Sequence, residues 1–292
     1  MSFSASGFQP YAVASRTGPH VTMQAGVEYA GRFWTTTAQS SLKARSVGTH
    51  GQASALVRDG GRCRILSGRT VPLLPLRPWT SLRDPVAGAL WGVAVARLSR
   101  SHVGQLFGYL EAAGEVPKEW FPVHRALLVT RVDRSLVLDG DAVVDRAGAW
   151  STIRAVDLSS SVFSRAPRRL PVADLPTRHR AVVHATAPVH VGVSTPTGPV
   201  PLPATWDGDD RFRVSLDALV AVEADVHGRG CVVFDRSDRR RPDEKLGVMF
   251  RGGLDLVGVD GASATVALDA ERVTTWDGFV ASTFDVEVAA PA

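Results

Sequence analysis

The 292-residue chain has few of the features that mark membrane proteins, disulfide-rich secreted proteins or metal centres. Two cysteines, Cys63 and Cys231, are too few for a disulfide framework or a zinc site of their own. The most apolar run, Val86–Val95, is too short to span a bilayer. The first residues lack a basic region followed by an apolar core, so we expect no secretory signal. These absences predict a cytoplasmic protein with no membrane partner.

Lysine is also scarce. It occurs only at Lys43, Lys118 and Lys245, and arginine supplies the rest of the 33 basic residues. The net charge of +4 is modest for this length, and the densest basic run, Arg239–Arg241, is flanked by carboxylates. No basic stripe is interleaved with aromatic residues, so a nucleic-acid partner is not expected.

Both ends of the chain consist of short apolar runs separated by Gly, Asp and Pro, a pattern typical of strands and tight turns. Ala181–Thr186 is one of these strand-like runs. Between the ends, residues 81–114 carry apolar side chains at helical spacing. The fold class predicted is therefore mainly β (α+β). We assign a first domain to residues 1–158, with a helical insertion at 81–114, a linker to 159–176 and a second domain to 177–292.

The two β-rich ends align with each other as an internal repeat. The alignment pairs Ser41–Arg45 with Asp217–Val222, and each copy has the same order of strands around a single helix. In this alignment Val220 and Val222 replace the two cations of the first copy. The sequence therefore predicts two copies of one barrel, only the first of which retains the charges.

Hydroxyl and basic side chains cluster where the third predicted strand runs into the first helix. The residues are Thr36, Thr37, Ser41, Lys43 and Arg45. Unpaired backbone N–H groups and the helix dipole attract anions at a helix N-terminus, and the two cations add to that attraction. The pattern favours a phosphate site, and the alternative is a solvated first turn.

The segment FWTTTAQSSLKARSVGTHGQASALV resembles the signature of the pyridoxamine 5′-phosphate oxidase-like superfamily, the flavin- and deazaflavin-binding split β-barrels. In that family a strand ending in Thr leads into a Ser-x-Lys-x-Arg helix start that holds the cofactor phosphate. The resemblance implies this role for the five residues named above. This chain departs from the pattern at Ser46, where the family usually has Asn, and it lacks a later Pro.

The second copy resembles the family through Gly247–Gly252 and Glu271–Gly278. In the family a late Trp packs near the flavin from across the dimer interface, and Trp276 matches it. Its counterpart near Thr130–Val132 has no Trp. The resemblance implies a pseudo-dimer with one composite site and one cofactor per chain, present as a monomer or as a homodimer. Simple core packing is the alternative role for Trp276.

Two further cations, Arg241 and Lys245, flank an insertion in the second copy. We expect them to reach over the cofactor and bind a phosphate or an acidic tail. The alternative is a solvated charged loop.

The resemblance implies an oxidoreductase that uses FMN, or alternatively the 8-hydroxy-5-deazaflavin coenzyme, on an unidentified small molecule. One alternative is a flavin or haem carrier or sensor without turnover. His184 and His190, on neighbouring predicted strands, are candidate ligands of a metal or haem, and chance spacing is the alternative. Another is an empty barrel kept as an interaction module. The sequence identifies no catalytic acid or base and no metal site.

Overall fold

The structure is a computed structural model, and it describes residues 8–111, 114, 116–121, 124–151, 169–185, 189–236 and 242–286. Strands dominate these residues and form two seven-stranded sheets. None of the described helices is long and apolar enough to cross a bilayer. The predicted mainly-β class, with two barrels in tandem and a helical segment in the first copy, is confirmed.

Six antiparallel strands close the first barrel, because β3 pairs with β2 on one side and with β6 on the other. A seventh strand extends the sheet beyond the barrel. The elements are β1 (Phe8–Ser15), β2 (Gly18–Tyr29), β3 (Arg32–Ala38), α1 (Leu42–His50), β4 (Gln52–Asp59), β5 (Arg62–Leu73), β6 (Arg125–Asp139) and β7 (Ala142–Ala147).

The second barrel closes in the same way, through pairing of β10 with β9 and β13. A short helix, α4 (Thr177–His184), precedes it. The barrel elements are β8 (Val189–Ser194), β9 (Val200–Gly208), β10 (Arg211–Ser215), α5 (Leu216–Ala221), β11 (Asp225–Asp235), β12 (Leu246–Asp260), β13 (Ser263–Asp277) and β14 (Val280–Asp285).

The first hairpin of each barrel shows that the copies are equivalent down to hydrogen bonds. Ser15 Oγ donates to the carbonyl of Gly18 at 2.7 Å and accepts from the amide of residue 17. Thr195 Oγ1 donates to the carbonyl of Gly198 at 2.6 Å and accepts from the amide of residue 197. Both glycines have positive φ, 104° and 114°, a conformation that other residues avoid.

The helix that follows the third strand begins at different points in the two copies. Both helices begin after a serine, Ser41 or Ser215, whose Oγ accepts the amide hydrogen three residues later. Strand pairing, however, matches Ser215 with Ala38, so α5 begins three residues earlier than α1. In this strand register Val220 and Val222 replace the two cations, as predicted, and counted from the capping serine Asp217 takes the place of Lys43.

The predicted counterpart of Trp276, near Thr130–Val132, is wrong. The strand pairs β5–β6 and β12–β13 each contain a β-bulge, at Gly68 and Gly252. When the bulges are superposed, Trp276 corresponds to Leu138, which is buried. The bulge is present in both copies and fixes the register of β6 against β13, whereas the pattern of apolar residues alone allows several registers.

The strand predicted at Ala181–Thr186 is a helix over its first four residues, and residue 186 lies outside the described part of the chain. Pro176 precedes α4 and favours a helix start there. Val182 and Val183 are buried against the second barrel, so their packing outweighs the strand preference of β-branched residues. His184 consequently ends a helix and does not lie on a strand beside His190.

The helical insertion lies between β5 and β6. It contains a 3₁₀ turn (Pro78–Arg83), α2 (Pro85–Ser101) and α3 (Val103–Glu111). Asp84 caps α2 through the amide of Ala87 at 2.9 Å and pairs with Arg32 of β3 at 3.1 Å. One side of α2 packs onto β2 and β3 through Ala87, Ala94 and Leu98.

The two barrels share one interface and part of one apolar core. The largest buried cluster includes Leu56 and Leu136 of the first barrel together with many side chains of the second. Arginines cross the interface in both directions. Arg134 Nη2 donates to the carbonyl of residue 197 at 3.1 Å, and Arg251 Nη1 donates to Thr17 Oγ1 at 3.2 Å. The chain therefore forms an intramolecular pseudo-dimer. Of the linker assigned to 159–176, residues 159–168 lie outside the described residues.

The two bulge glycines provide a test of the shared architecture. A Cβ atom would lie 1.9 Å from the carbonyl oxygen of Arg131 in Gly68→Ala and 1.7 Å from that of Asp269 in Gly252→Ala. We expect each substitution to lower the free energy of unfolding by about 2–4 kcal/mol. Gly92→Ala is the control, since its Cβ meets nothing within 4 Å and should be neutral or stabilising by roughly 1 kcal/mol. Urea unfolding measures all three, and equal stability of the bulge variants and the control would contradict the register.

Candidate functional site

The end of β3 and the start of α1 form a hydroxyl-lined bend. Thr37 Oγ1 donates to Ser41 Oγ at 3.0 Å, and Ser41 Oγ accepts the amide hydrogen of Ala44 at 3.2 Å. The capping bond satisfies one of the unpaired N–H groups of the helix, and the remaining ones stay available at its N-terminus. The structure therefore places Thr37 and Ser41 together, as the sequence predicted.

Arg125, the first residue of β6, is a central member of the site that sequence reasoning missed. Its Nε and Nη2 atoms donate to Thr36 Oγ1 at 3.0 and 2.8 Å, and Nη2 also donates to the carbonyl of Thr36 at 3.0 Å. Its buried Nη1 atom makes no hydrogen bond of good geometry with a described residue, although Tyr109 lies close enough to oppose the lowering of the pKa of Arg125 by burial. Buried donors are nearly always paired, so an acceptor for Nη1 is expected, either the Tyr109 hydroxyl or a ligand.

Lys43 and Lys245 converge on Arg125 from different barrels. Burial, together with the charge of Arg125, lowers the pKa of Lys43 to about 8. Burial lowers the pKa of Lys245 to about 7, helped by the charges of Arg125 and Lys43 and opposed by Asp235. Three cations thus repel one another at the barrel interface, where both lysines are half-buried. Such a cluster favours an anion.

Aromatic side chains from both barrels cluster beside Arg125. Phe279, in the turn between β13 and β14, packs edge-on against Trp120, with ring centroids 5.2 Å apart, and lies 6.5 Å from Tyr109 of α3. The Arg125 guanidinium lies 5.6 Å from the centre of the Trp120 ring. The site therefore has a cationic part and an apolar part, to which both barrels contribute.

Trp276 lies at the interface between the barrels. Its indole covers Gly247, where a Cβ would lie 2.1 Å from the ring. It packs against a small buried cluster that includes Ala12 and Val21 of the first barrel and Met249 of the second. The side chain is half-buried. This position is compatible with the predicted place beside a bound ring and with core packing.

One of the predicted site residues, Arg45, is not joined to this group. Arg45 is exposed, and its Nη1 donates to the carbonyl of Ser40 at 2.9 Å, so its guanidinium folds back over the loop before α1. Arg241 lies outside the described residues. Lys245, the other predicted residue of that insertion, is half-buried with its amine 3.7 Å from the centre of the Phe8 ring.

The equivalent position in the second barrel has lost the cations. Ser263 occupies the place of Arg125. Each is the first residue of its strand and pairs with the last residue of the third strand of its barrel, Ser215 or Ala38. Ser263 Oγ donates to Asp141 Oδ2 at 3.0 Å, and Ser215 Oγ donates to the carbonyl of Asp141. The turn between β6 and β7 thus engages this helix start directly, and Asp217 adds a carboxylate. The second position is unsuited to a phosphate.

The histidines considered for haem do not form a ligand pair. His190 is buried and its Nε2 lies 3.3 Å from Arg58 Nη2. Burial lowers its pKa to about 3, so the ring is neutral. His184 ends α4 and packs against Trp206 at 6.0 Å. Among the described residues, no group of three or more His, Cys, Asp or Glu side chains could hold a metal ion.

Comparison with known proteins gives matches only among solved structures. No family model and no curated protein matches the chain. A NimC/NimA family protein from Clostridium acetobutylicum is 9% identical, with a TM-score of 0.30, over 50% of this chain and 87% of that one. A pyridoxamine 5′-phosphate oxidase-related, FMN-binding protein from Nostoc punctiforme is 14% identical, with a TM-score of 0.33, over 46% and 75%. A FAD-binding protein from Mesorhizobium loti is 12% identical, with a TM-score of 0.30, over 46% and 87%.

The fold is a tandem split β-barrel. The element order and barrel closure described above are those expected from the sequence resemblance, which is confirmed for the fold in both copies. The tandem split barrel thus provides one interface position rich in cations and one rich in carboxylates.

The lysine environment predicts a pH dependence of stability for the ligand-free protein. The folded-state pKa values of Lys43 and Lys245, about 8 and about 7, lie below their ordinary value of 10.5. The unfolded chain therefore binds more protons than the folded one in this range, and stability rises with pH. We expect the free energy of unfolding to increase by on the order of 1–3 kcal/mol between about pH 7 and pH 9.

Chemical denaturation across this pH range measures the slope. Lys43→Met with Lys245→Met should flatten it, whereas Lys118→Met, which changes the third lysine, should not. An unchanged slope in the double variant would show that other groups cause it.

Proposed function

We propose that the chain binds one phosphate-bearing flavin-type cofactor between its two barrels and uses it to oxidise or reduce a small molecule. FMN is the first candidate. The 8-hydroxy-5-deazaflavin coenzyme is the alternative, because a Lys and Arg phosphate site suits either. The proteins named above as FMN- and FAD-binding are in keeping with this choice.

The observation that carries the proposal is the convergence of Lys43, Arg125 and Lys245 at the barrel interface. A phosphate would supply an acceptor for Arg125 Nη1 and the negative charge that the three cations require. Charge-assisted hydrogen bonds of this kind are about twice as strong as neutral ones. The N-terminus of α1 adds backbone donors of the same polarity.

Each part of the chain has a distinct task in this proposal. Lys43 and Arg125 hold the phosphate, and Thr36, Thr37 and Ser41 fix the bend that positions it. Lys245 adds a contact from the second barrel to the same phosphate. The bound flavin supplies the hydride chemistry, and the protein's share is to orient the ring and exclude water. Tyr109, Trp120, Phe279 and Trp276 offer the apolar surface for that ring.

One cofactor per chain is expected, since the second barrel presents Ser263, Asp217 and Asp141 at the equivalent position. Two carboxylates there would repel a phosphate. Both barrels contribute to the single site, so it does not require a second chain.

Cofactor binding by variants tests the phosphate site. We expect FMN, or the deazaflavin coenzyme, to bind with a stoichiometry of one per chain. Lys43→Ala, Lys245→Ala and Arg125→Ala should each weaken binding about tenfold or more, because each removes a charge-assisted bond. Lys118→Ala is the matched control and should bind as the parent does.

Fluorescence titration gives the Kd values, and thermal melts without ligand identify any variant that fails to fold. Binding that all three substitutions leave unchanged would refute the site. Reduction of the bound flavin by NADPH or by reduced deazaflavin then separates an oxidoreductase from a carrier or sensor, in which no turnover occurs.

Binding should also weaken as pH rises. The phosphate attracts only the protonated amines, and their pKa values of about 8 and about 7 lie within the accessible range. We expect the Kd for FMN to increase between about pH 7 and pH 9, where the phosphate itself is already fully ionised. Isothermal titration measures the change. Replacing both lysines by arginine, which stays charged, should flatten the profile, and a persisting slope would exclude the amines as its cause.

A further inference from the structure

The helical insertion has an apolar face that nothing in the described part of the chain covers. The face is formed by the 3₁₀ turn, α2 and α3, which contact one another in that order. Leu82 is 76% exposed, Trp79 63% and Phe107 53%. We call this surface the insertion face. Its exposed members are Trp79, Leu82, Val86, Val93, Leu106 and Phe107.

The insertion face is larger than the scattered exposed apolar residues of an ordinary surface. Trp79 and Phe107 alone expose roughly 230 Å², taking about 200 Å² for each aromatic side chain. The first three turns of α2, as far as Ala96, are apolar on all sides. Ala87 and Ala94 on one side are buried, whereas Val86 and Val93 on the other are exposed. An apolar helix with one face uncovered marks an interaction surface.

The charges around the insertion face are mainly positive. Arg83, Arg97 and Arg100 are exposed, and Arg100 continues the seven-residue spacing of Val86 and Val93 on α2. The described carboxylates between residues 78 and 111 are two. Asp84 is paired with Arg32, and Glu111 lies at the far end of α3. The face thus combines exposed tryptophan and aliphatic side chains with arginines.

We propose that the insertion face docks onto an anionic lipid surface, with α2 and α3 lying in the plane of the headgroups. Tryptophan, phenylalanine and leucine bury into the boundary of the acyl chains while arginine pairs with lipid phosphates. A second copy of the chain fits less well. In a two-fold pairing of α2, a parallel arrangement places Arg100 on Arg100, and an antiparallel one brings Arg97 and Arg100 towards Arg83.

This inference does not depend on the cofactor, because no member of the insertion face lines the cationic site. It revises the expectation of no membrane partner. That expectation rested on the lack of a spanning segment, and a surface-bound helix needs none.

Vesicle co-sedimentation of the full chain tests the proposal. The protein should sediment with vesicles of an equimolar mixture of phosphatidylcholine and phosphatidylglycerol, and much less with pure phosphatidylcholine. Raising NaCl from about 0.05 M to about 0.5 M should weaken binding several-fold, since salt screens the arginines. Leu82→Ser with Phe107→Ser, and separately Arg83→Glu with Arg100→Glu, should each lower the partition coefficient about tenfold or more.

Matched controls keep the result specific. Val280→Ser changes a side chain that is 68% exposed on β14 of the second barrel, and Arg180→Glu changes an exposed arginine of α4. Both should bind as the parent does. Thermal melts confirm that all variants fold.

Two outcomes would overturn the proposal. One is no sedimentation with the anionic vesicles at low salt. The other is a concentration-dependent dimer, seen by light scattering after size exclusion, that Leu82→Ser with Phe107→Ser dissociates. The second outcome would assign the insertion face to a contact between copies of the chain.

Discussion

Mutual repulsion among Lys43, Arg125 and Lys245 is the constraint around which the pseudo-dimer is built. Each cation comes from a different element: the first turn of α1, the start of β6 and the segment just before β12. Holding them together requires closure of the first barrel by β3 and β6, since Thr36 on β3 fixes Arg125. It also requires association of the two barrels, since only that brings Lys245 near. The folded protein therefore carries an unfavourable charge cluster that an anion relieves.

The duplicated scaffold shows how one architecture can have opposite electrostatics at two equivalent positions. Both helices begin at a capping serine. At the start of α5, Asp141 of the β6–β7 turn accepts hydrogen bonds from Ser215 and Ser263. In the other copy the turn before the last strand contributes Phe279, which packs against Trp120. The two positions thus differ in side chains and in where the helix begins, and only the first keeps the cations. Divergence of the two copies therefore explains why one site would suffice.

Features that depend on neighbouring residues could be predicted from the sequence, and features that depend on contacts between distant residues could not. The barrels, the insertion and the bend from Thr37 to Ser41 were predictable, because turns, strand patterns and helix caps depend on residues that are close together in the sequence. Arg125 was not, because its partner Thr36 lies 89 positions away. The strand assigned to the segment that forms α4 failed for the same reason, since packing of its valines onto the second barrel decides the outcome. The counterpart of Trp276 was placed wrongly because apolar patterning alone does not fix the register of β6 against β13.

The helical insertion connects the two surfaces that matter most in this molecule. Within the described residues it has no counterpart in the second copy, where β12 passes into β13 by a tight turn. Its helix α2 covers β2 and β3, and its helix α3 carries Tyr109 towards Phe279 while Leu106 and Phe107 face outward. One short helix thus carries both Phe107, which is exposed, and Tyr109, which packs beside Phe279. Docking of that face onto a lipid surface would therefore bring the site beside molecules dissolved in that surface, which joins the two proposals through α3.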